Sequence, residues 1–206
     1  MAAGCGKSVL ASSIIDALIA SSQPHVLTYY FCDYVDKRTL DSVTILGTIT
    51  QQLLEKIEIP PTIEKLITEN YGDERTPDWR GAVDVLVAVI RLFPAVTLIL
   101  DGIDEVDEDN RKALFFALNR LGNHSKTTLK LLISCREDAI QSLKIPAMTS
   151  FRIHIQPSSL ALDIKDYISC TIESLFESGY LVIQDLGLKE IIIDKLAEGA
   201  QGMCVL

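Results

Sequence analysis

The chain has 206 residues, 48% of them hydrophobic, and its 28 acidic against 19 basic side chains give a net charge of −9 at pH 7. A nucleic-acid-binding protein needs a concentrated basic surface, which this sequence lacks. Every apolar run in the sequence is far shorter than the ~20 residues that cross a bilayer. We therefore expect neither nucleic acid nor a membrane as a partner. A chain of this length is sufficient for one full domain and the beginning of a second.

Five cysteines are scattered through the sequence without the spacing of metal ligands: Cys5, Cys32, Cys135, Cys170 and Cys204. The pattern of a secretory signal peptide is also missing from the start. We therefore expect reduced thiols and a cytoplasmic location.

The first motif in chain order is Gly4-Cys5-Gly6-Lys7-Ser8, which has the composition of a phosphate-binding loop that leads into a helix. In such a loop the backbone N–H groups surround phosphate oxygens, the lysine meets the β- and γ-phosphates, and the hydroxyl ligates Mg²⁺. Ser8 is therefore a candidate metal ligand. The expected nucleotide-binding residues are Ala3, Gly4, Cys5, Gly6, Lys7, Ser8 and Val9.

The complete pattern, G-x-x-x-x-G-K-[ST], begins with a glycine at the position where this chain has Met1. Such a loop normally follows a buried strand, and the three residues Met1, Ala2 and Ala3 are too few to form one. We therefore expect a sheet that lacks its first strand. Either the chain was cut from a longer one or it is a weakened remnant.

Apolar periodicity predicts that helices and strands alternate through the first three quarters of the chain. The predicted helices are Ser8 to Ala20, Asp41 to Ile57, Thr62 to Asn70, Trp79 to Phe93, Asp107 to Gly122 and a short one at Asp138 to Leu143. The predicted strands are His25 to Asp33, Ala95 to Leu100, Leu129 to Cys135 and Phe151 to Ile155. Asp107 is expected to cap the helix that it begins.

After Pro157 the pattern is helical only, with predicted helices at Leu160 to Ser178 and Leu188 to Glu198. Strands that alternate with helices are typical of an α/β domain with a mostly parallel sheet. The sequence therefore predicts an α/β domain at residues 1–157 and the beginning of a helical domain at residues 158–206.

Two chemically distinctive residues directly follow predicted strands: Asp101 after the second and Arg136 after the third. Because parallel strands end at one edge of an open sheet, where such sheets bind ligands, we expect both residues to meet the loop there. Asp101 would hold Mg²⁺ together with Ser8, and Arg136 would reach the γ-phosphate. The alternatives are a solvated aspartate and a salt bridge from Arg136 to Glu137 or Asp138.

Asp104, and after it Glu105, are candidates for activating the attacking water, because hydrolysis needs a carboxylate within hydrogen-bond reach of that water. Asp104 stands three positions after Asp101, which is within reach around a turn. The alternative is that both belong to the acidic, solvated start of the next helix.

Six segments carry a resemblance to a known family: GCGKSVL, YYFCDY, LILDGIDE, LLISCRE, DIKDYI and KLAEGAQGM. They resemble the NACHT class of STAND nucleoside triphosphatases, and within it the nephrocystin 3-like N-terminal domain of large multidomain proteins, especially fungal ones. The resemblance covers nearly the whole chain, and the DGIDE form is its most specific part. It implies a P-loop NTPase fold with three αβα layers.

For the site, the resemblance implies ATP or ADP with Mg²⁺, bound through Lys7 and Ser8, with Asp101 at the metal, Asp104 as the catalytic carboxylate and Arg136 as the sensor. Such proteins are molecular switches. The partners that the resemblance implies are further domains of the same polypeptide, namely effector, winged-helix and repeat domains, and other copies of the protein through self-association. The family's first strand and leading glycine are missing here, as are its regions beyond the first helices after the sheet. Turnover by this chain is therefore left open.

The expected function is that of an ATP-binding, slowly hydrolysing switch domain in a larger signalling protein. A truncated, non-catalytic interaction or scaffold module that retains the fold is the second interpretation. A small-molecule kinase is a third, but its lid arginines and substrate-binding loop are not recognisable in the sequence. Because the guanine-reading tetrapeptide N-K-x-D does not occur either, adenine is preferred over guanine.

Overall fold

The computed structural model describes residues 6–21, 26–72, 78–124, 127–136, 148–154, 161–182 and 186–200. The chain divides into two compact units, of which one is Lys7–Ser150 and the other combines Phe151–Leu206 with Met1–Gly6. The domain boundary predicted at residue 157 lies outside the described residues. Each unit is described separately below.

Within the described residues, three strands form a parallel sheet in the order β1-β2-β3: β1 (Val26–Phe31), β2 (Ala95–Asp101) and β3 (Thr128–Ser134). In this register Phe31 is the partner of Asp101, and Asp101 is the partner of Ser134. The last residues of the three strands therefore lie side by side. We call this row and the segments that leave it the carboxyl edge of the sheet.

The helices that surround the sheet follow the apolar periodicity of the sequence. Their bounds in the first unit are α1 (Lys7–Ala20), α2 (Ser42–Leu54), α3 (Pro61–Tyr71), α4 (Trp79–Ile90) and α5 (Glu108–His124). Each agrees with its prediction to within a few residues, as do the three strands. The alternation of strands and helices predicted for this region is therefore confirmed.

Helices cover both faces of the sheet. On one face Leu98 and Leu100 of β2 belong to a buried core with residues of α2, α4 and α5. On the other face Ile99 packs against Ala11 and Ile15 of α1. Because successive side chains of a strand point to opposite faces, this is the burial pattern of a strand covered on both sides. The unit is mixed α/β and compatible with three αβα layers.

Side-chain caps fix the starts of two helices. Oδ2 of Asp41 accepts a hydrogen bond from the Thr44 N–H at 2.8 Å and so caps α2. Oδ1 of Asp107 accepts one from the Asn110 N–H at 3.0 Å, which confirms the predicted cap of α5. Such caps stabilise a helix by about 1 kcal/mol each. Oδ1 of Asn110 also accepts from the Ser42 N–H at 2.8 Å, so the starts of α2 and α5 are joined.

The second unit contains a helical hairpin of α6 (Ala161–Glu177) and α7 (Leu186–Ala200). Ile164, Ile168 and Ile172 lie four residues apart on α6 and form a buried core with Ile193 and Ala200 of α7. Both helices agree with the predicted ones to within a few residues. No helix in the described ranges is long and apolar enough to cross a membrane.

The strand predicted at Phe151 to Ile155 is wrong where the structure describes it. Residues 151–154 have no regular secondary structure, and Phe151 and Ile153 are 90% and 84% exposed. Alternating apolar residues form a strand when a neighbouring strand takes their hydrogen bonds and a core takes their side chains. Residues 151–154 pair with no strand that the structure describes. The short helix predicted at residues 138–143 lies outside the described residues.

Candidate functional site

The carboxyl edge brings together the acidic and basic residues that the sequence singled out. β2 ends at Asp101, and the chain then makes a single 3₁₀ turn over Ile103–Glu105. Arg136 stands two residues after the end of β3, the strand that pairs with β2. The predicted convergence of Asp101 and Arg136 at one sheet edge agrees with this topology.

Gly102 allows the chain to turn directly after Asp101. Its φ angle is 75°, in the left-handed region that favours glycine. A Cβ atom at this position would lie 2.9 Å from the carbonyl oxygen of Cys32. The Gly102 N–H donates a hydrogen bond to the carbonyl oxygen of Ser134 at 3.0 Å. The turn is therefore held between β1 and β3, and it fixes where the following carboxylates stand.

Asp101 is buried in a way that suits a cation. It is 3% exposed, and its Oδ1 atom has no hydrogen-bond partner within the part of the chain that the structure describes. A buried polar atom left unpaired costs about 1–3 kcal/mol. A carboxylate oxygen is also the ligand that Mg²⁺ prefers in proteins. Asp101 therefore fits the metal role predicted for it.

The described residues hold no group of three or more His, Cys, Asp or Glu side chains that could bind a metal ion by themselves. Mg²⁺ is commonly bound through one or two carboxylates, water and the phosphates of a substrate.

Asp104 and Arg136 contact one another directly. Oδ1 of Asp104 accepts the backbone N–H of Arg136 at 3.1 Å, and Oδ2 pairs with the guanidinium Nε at 2.9 Å. The Asp104 side chain is 9% exposed, whereas that of Arg136 is 49% exposed. The sequence suggested Glu137 or Asp138 as the alternative partners of Arg136, and both lie outside the described residues.

Glu105 is directed to the segment after β1. Its Oε2 accepts the backbone N–H of Tyr34 at 2.7 Å. Burial raises the pKa of Glu105, the hydrogen bond from Tyr34 opposes that shift, and the negative charges of Asp104 and Asp33 add to it. Glu105 also lines a cleft of about 390 Å³ together with Tyr34 and Asp107. Its catalytic role stays a prediction.

The pKa of the Cys32 thiol is raised by its surroundings at the carboxyl edge. Burial first, and then the negative charges of Glu105, Asp101 and Asp104, raise the pKa of its thiol to about 12. A thiol with this pKa stays protonated at neutral pH and is a poor nucleophile. The three carboxylates of the carboxyl edge therefore all lie close enough to act on the Cys32 side chain.

The predicted nucleotide loop is described only in part. Ala3, Gly4 and Cys5 lie outside the described residues. Gly6 has a φ angle of 75° and directly precedes α1, which begins at Lys7. Ser8 and Val9 are exposed in the first turn of α1. α1 packs on the sheet face that holds Ile99, and Asp101 lies on that same face, two residues further along β2.

Ser134 belongs to this site, although the sequence reasoning missed it. It ends β3 as Asp101 ends β2, and the two residues are register partners. The Ser134 Oγ atom is buried and, like Oδ1 of Asp101, lacks a hydrogen-bond partner in the described residues. The available signal was a polar residue that closes an apolar strand, in the segment LLIS.

The comparison with known proteins finds a family match over the part of the chain that contains the carboxyl edge. Residues 2–136 match the model of a protein family described as Nephrocystin 3, N-terminal, which is more than half of the 206 residues. The match includes the loop motif and all three strands, and its last residue is Arg136. The predicted nephrocystin 3-like resemblance is thereby confirmed over residues 2–136, whereas the segments DIKDYI and KLAEGAQGM, which it also included, lie outside the match. A search of curated proteins gave no match.

Proposed function

Because the chain belongs to the nephrocystin 3 N-terminal family, we propose that its α/β unit is the ATP-binding, slowly hydrolysing switch domain of a larger signalling protein of the NACHT and STAND type. The observation that carries this proposal is the buried Oδ1 of Asp101, which has no partner among the described residues, beside the ion pair of Asp104 and Arg136. A P-loop NTPase uses a carboxylate that holds the metal ion, a residue that positions the attacking nucleophile and a basic group that stabilises the charge on the transferred phosphate.

In this proposal the start of α1 receives the phosphates. A helix N-terminus presents backbone N–H groups and a positive dipole to an anion, and Gly6 gives the backbone close access. Lys7 pairs with the β- and γ-phosphate oxygens, and the Ser8 hydroxyl and Asp101 hold Mg²⁺. The bound Mg²⁺ supplies charge neutralisation of the phosphates and orients them for attack.

The pair of Asp104 and Arg136 provides a means of reading the nucleotide state. A γ-phosphate carries more negative charge than a single carboxylate, so it competes with Asp104 for the half-exposed guanidinium. When the guanidinium turns to the phosphate, Oδ2 of Asp104 is released, while Oδ1 keeps its bond to the Arg136 N–H. Asp104 can then accept a proton from the attacking water.

A binding titration with labelled ATP and Mg²⁺ tests this function. We expect saturable binding by the natural chain and at least a tenfold loss of affinity in Lys7→Ala, because the lysine charge at the β- and γ-phosphates is removed. The control is Lys56→Ala, which removes an exposed lysine just after α2 and should bind like the natural chain. Competition with unlabelled GTP then tests the preference for adenine.

Equal and negligible binding by the natural chain and by Lys7→Ala would contradict the switch and favour the scaffold interpretation. The helical hairpin is where a scaffold surface would be sought. Several of its large apolar side chains are exposed, and such side chains mark an interaction surface only where they form one contiguous patch. They are Leu162, Tyr167, Leu188 and Ile191.

A further inference from the structure

Ser134 and Asp101 present their side chains to the same side of the sheet. They are partners on neighbouring parallel strands. Leu132 and Ile99, two residues before them, both pack in the apolar cluster that involves α1. Because side chains alternate along a strand, Ser134 and Asp101 also lie on the α1 face. Two oxygens without described partners are therefore neighbours on one face at the carboxyl edge.

A single ligand bound between Oδ1 of Asp101 and Oγ of Ser134 would have to interact differently with each of the two atoms. The Asp101 oxygen only accepts hydrogen bonds or ligates a cation, whereas the Ser134 hydroxyl both donates and accepts. A water molecule bound to Mg²⁺ is a strong donor because the metal polarises it. A cation on Asp101 with its water directed at Ser134 would therefore satisfy both oxygens.

The spacing of the sheet permits this arrangement. Neighbouring strands lie ~4.8 Å apart. Two Mg²⁺–oxygen bonds of about 2.1 Å at neighbouring octahedral positions place the carboxylate and water oxygens about 3 Å apart, and a bent hydrogen bond of about 2.8 Å from that water then covers a gap of that size. A direct hydrogen bond between Ser134 and Asp101 is not formed. The strand spacing is thus compatible with a hydrated cation that bridges the two side chains.

We propose that Ser134 is a positioning residue of the nucleotide site, whose hydroxyl holds a water of the Mg²⁺ that Asp101 binds. This inference rests on the proposed function, because the cation arrives with the nucleotide. Its consequence is specific: Ser134 strengthens the binding of the magnesium complex of ATP and leaves the binding of metal-free ATP unchanged.

The test compares ATP affinity in Mg²⁺ and in EDTA for the natural chain, Ser134→Ala and Ser134→Thr. We expect Ser134→Ala to lose about five- to tenfold in affinity in Mg²⁺, as the loss of one hydrogen bond between uncharged partners would give. In EDTA its affinity should equal that of the natural chain. Ser134→Thr keeps the hydroxyl and should retain most of the Mg²⁺-dependent affinity.

A matched control is Thr97→Val, which deletes a hydroxyl from the same face of β2. Thr97 stands four residues before Asp101, about 13 Å along the strand. It should change neither affinity. Urea unfolding in EDTA supplies a second readout: Ser134→Ala should be at least as stable as the natural chain, because the deleted hydroxyl has no described partner.

The outcomes separate the two proposals. If the natural chain binds the magnesium complex of ATP and Ser134→Ala binds it equally well, the role of Ser134 is overturned while the proposed function stands. An equal loss in Mg²⁺ and in EDTA, or a loss of stability in EDTA, would assign Ser134 a structural role instead. If the natural chain binds no ATP, the proposed function fails and the inference fails with it.

Discussion

The interior of β2 and the segment that leaves it are both largely buried, but their chemistry differs. Residues 96–100 are buried and apolar except for Thr97, and helices cover them on both faces. Residues 101–105 contain three carboxylates, a left-handed glycine and one side-chain oxygen without a described partner. The interior is stabilised by apolar burial. The carboxyl edge keeps features that reduce stability, which is typical of functional sites.

The largest effect should come from the interior. Leu98→Ala removes a fully buried side chain from the core shared with α2, α4 and α5. We expect the free energy of unfolding to fall by about 2–5 kcal/mol, because the lost burial and the cavity add. Urea unfolding measures it, with the exposed Leu92→Ala as control, which should lose less than about 1 kcal/mol. Equal losses in the two variants would show that the core is wrongly assigned.

A smaller loss is expected at the turn that joins the two regions. Gly102→Ala forces a side chain into the left-handed region and against the Cys32 carbonyl oxygen at 2.9 Å. We expect a loss of about 1–3 kcal/mol in urea unfolding. Gly47→Ala is a control of opposite sign, since nothing lies within 4 Å of a Cβ there and alanine favours the interior of α2 by about 0.5–1 kcal/mol. A neutral Gly102→Ala would contradict the described turn.

The smallest effect is a pH dependence at Glu105. Its pKa in the folded chain is raised from the ordinary value of 4.5, so the folded state binds this proton more tightly than the unfolded state. The contribution of this bound proton to the free energy of unfolding is therefore present below pH 4.5 and is lost as pH rises through the raised pKa of Glu105. Glu105→Gln lacks this decline and keeps an acceptor for the Tyr34 N–H.

Urea unfolding of both proteins at a series of pH values from 4 to 7 checks this sign, because the other titrating groups are common to both and cancel. The stability of Glu105→Gln relative to the natural chain should rise over this range. The effect is small because water screens a partly buried side chain. A relative stability that falls with pH would mean that Glu105 is stabilised as a carboxylate.

Much of the difference between the interior of β2 and the carboxyl edge could be predicted from the sequence. The apolar run before Asp101 specified a buried strand, and the parallel alternation placed the ends of β2 and β3 at one edge. The strand at Phe151 to Ile155 was predicted wrongly because alternation alone does not supply a pairing partner. Local pattern therefore sufficed where elements are long and periodic.

The contacts within the site could not be predicted. Asp104 and Arg136 are 32 residues apart and meet only because β2 and β3 pair in register. The sequence offered the nearer carboxylates of Glu137 and Asp138 as partners of Arg136, because local charge is all that it displays. Ser134 lies next to Asp101 because of the same pairing of β2 and β3, in which the two residues are register partners.

The most direct test of the account is the unfolding of Asp101→Asn with and without the magnesium complex of ATP. We expect the variant without ligand to be as stable as the natural chain or more stable, because a buried carboxylate with an unpaired oxygen is replaced. At a ligand concentration 100 times the Kd, the natural chain should gain about 2.7 kcal/mol and the variant much less. A variant that is destabilised without ligand and gains as much as the natural chain from the complex would contradict the claim that Asp101 is kept for a cation.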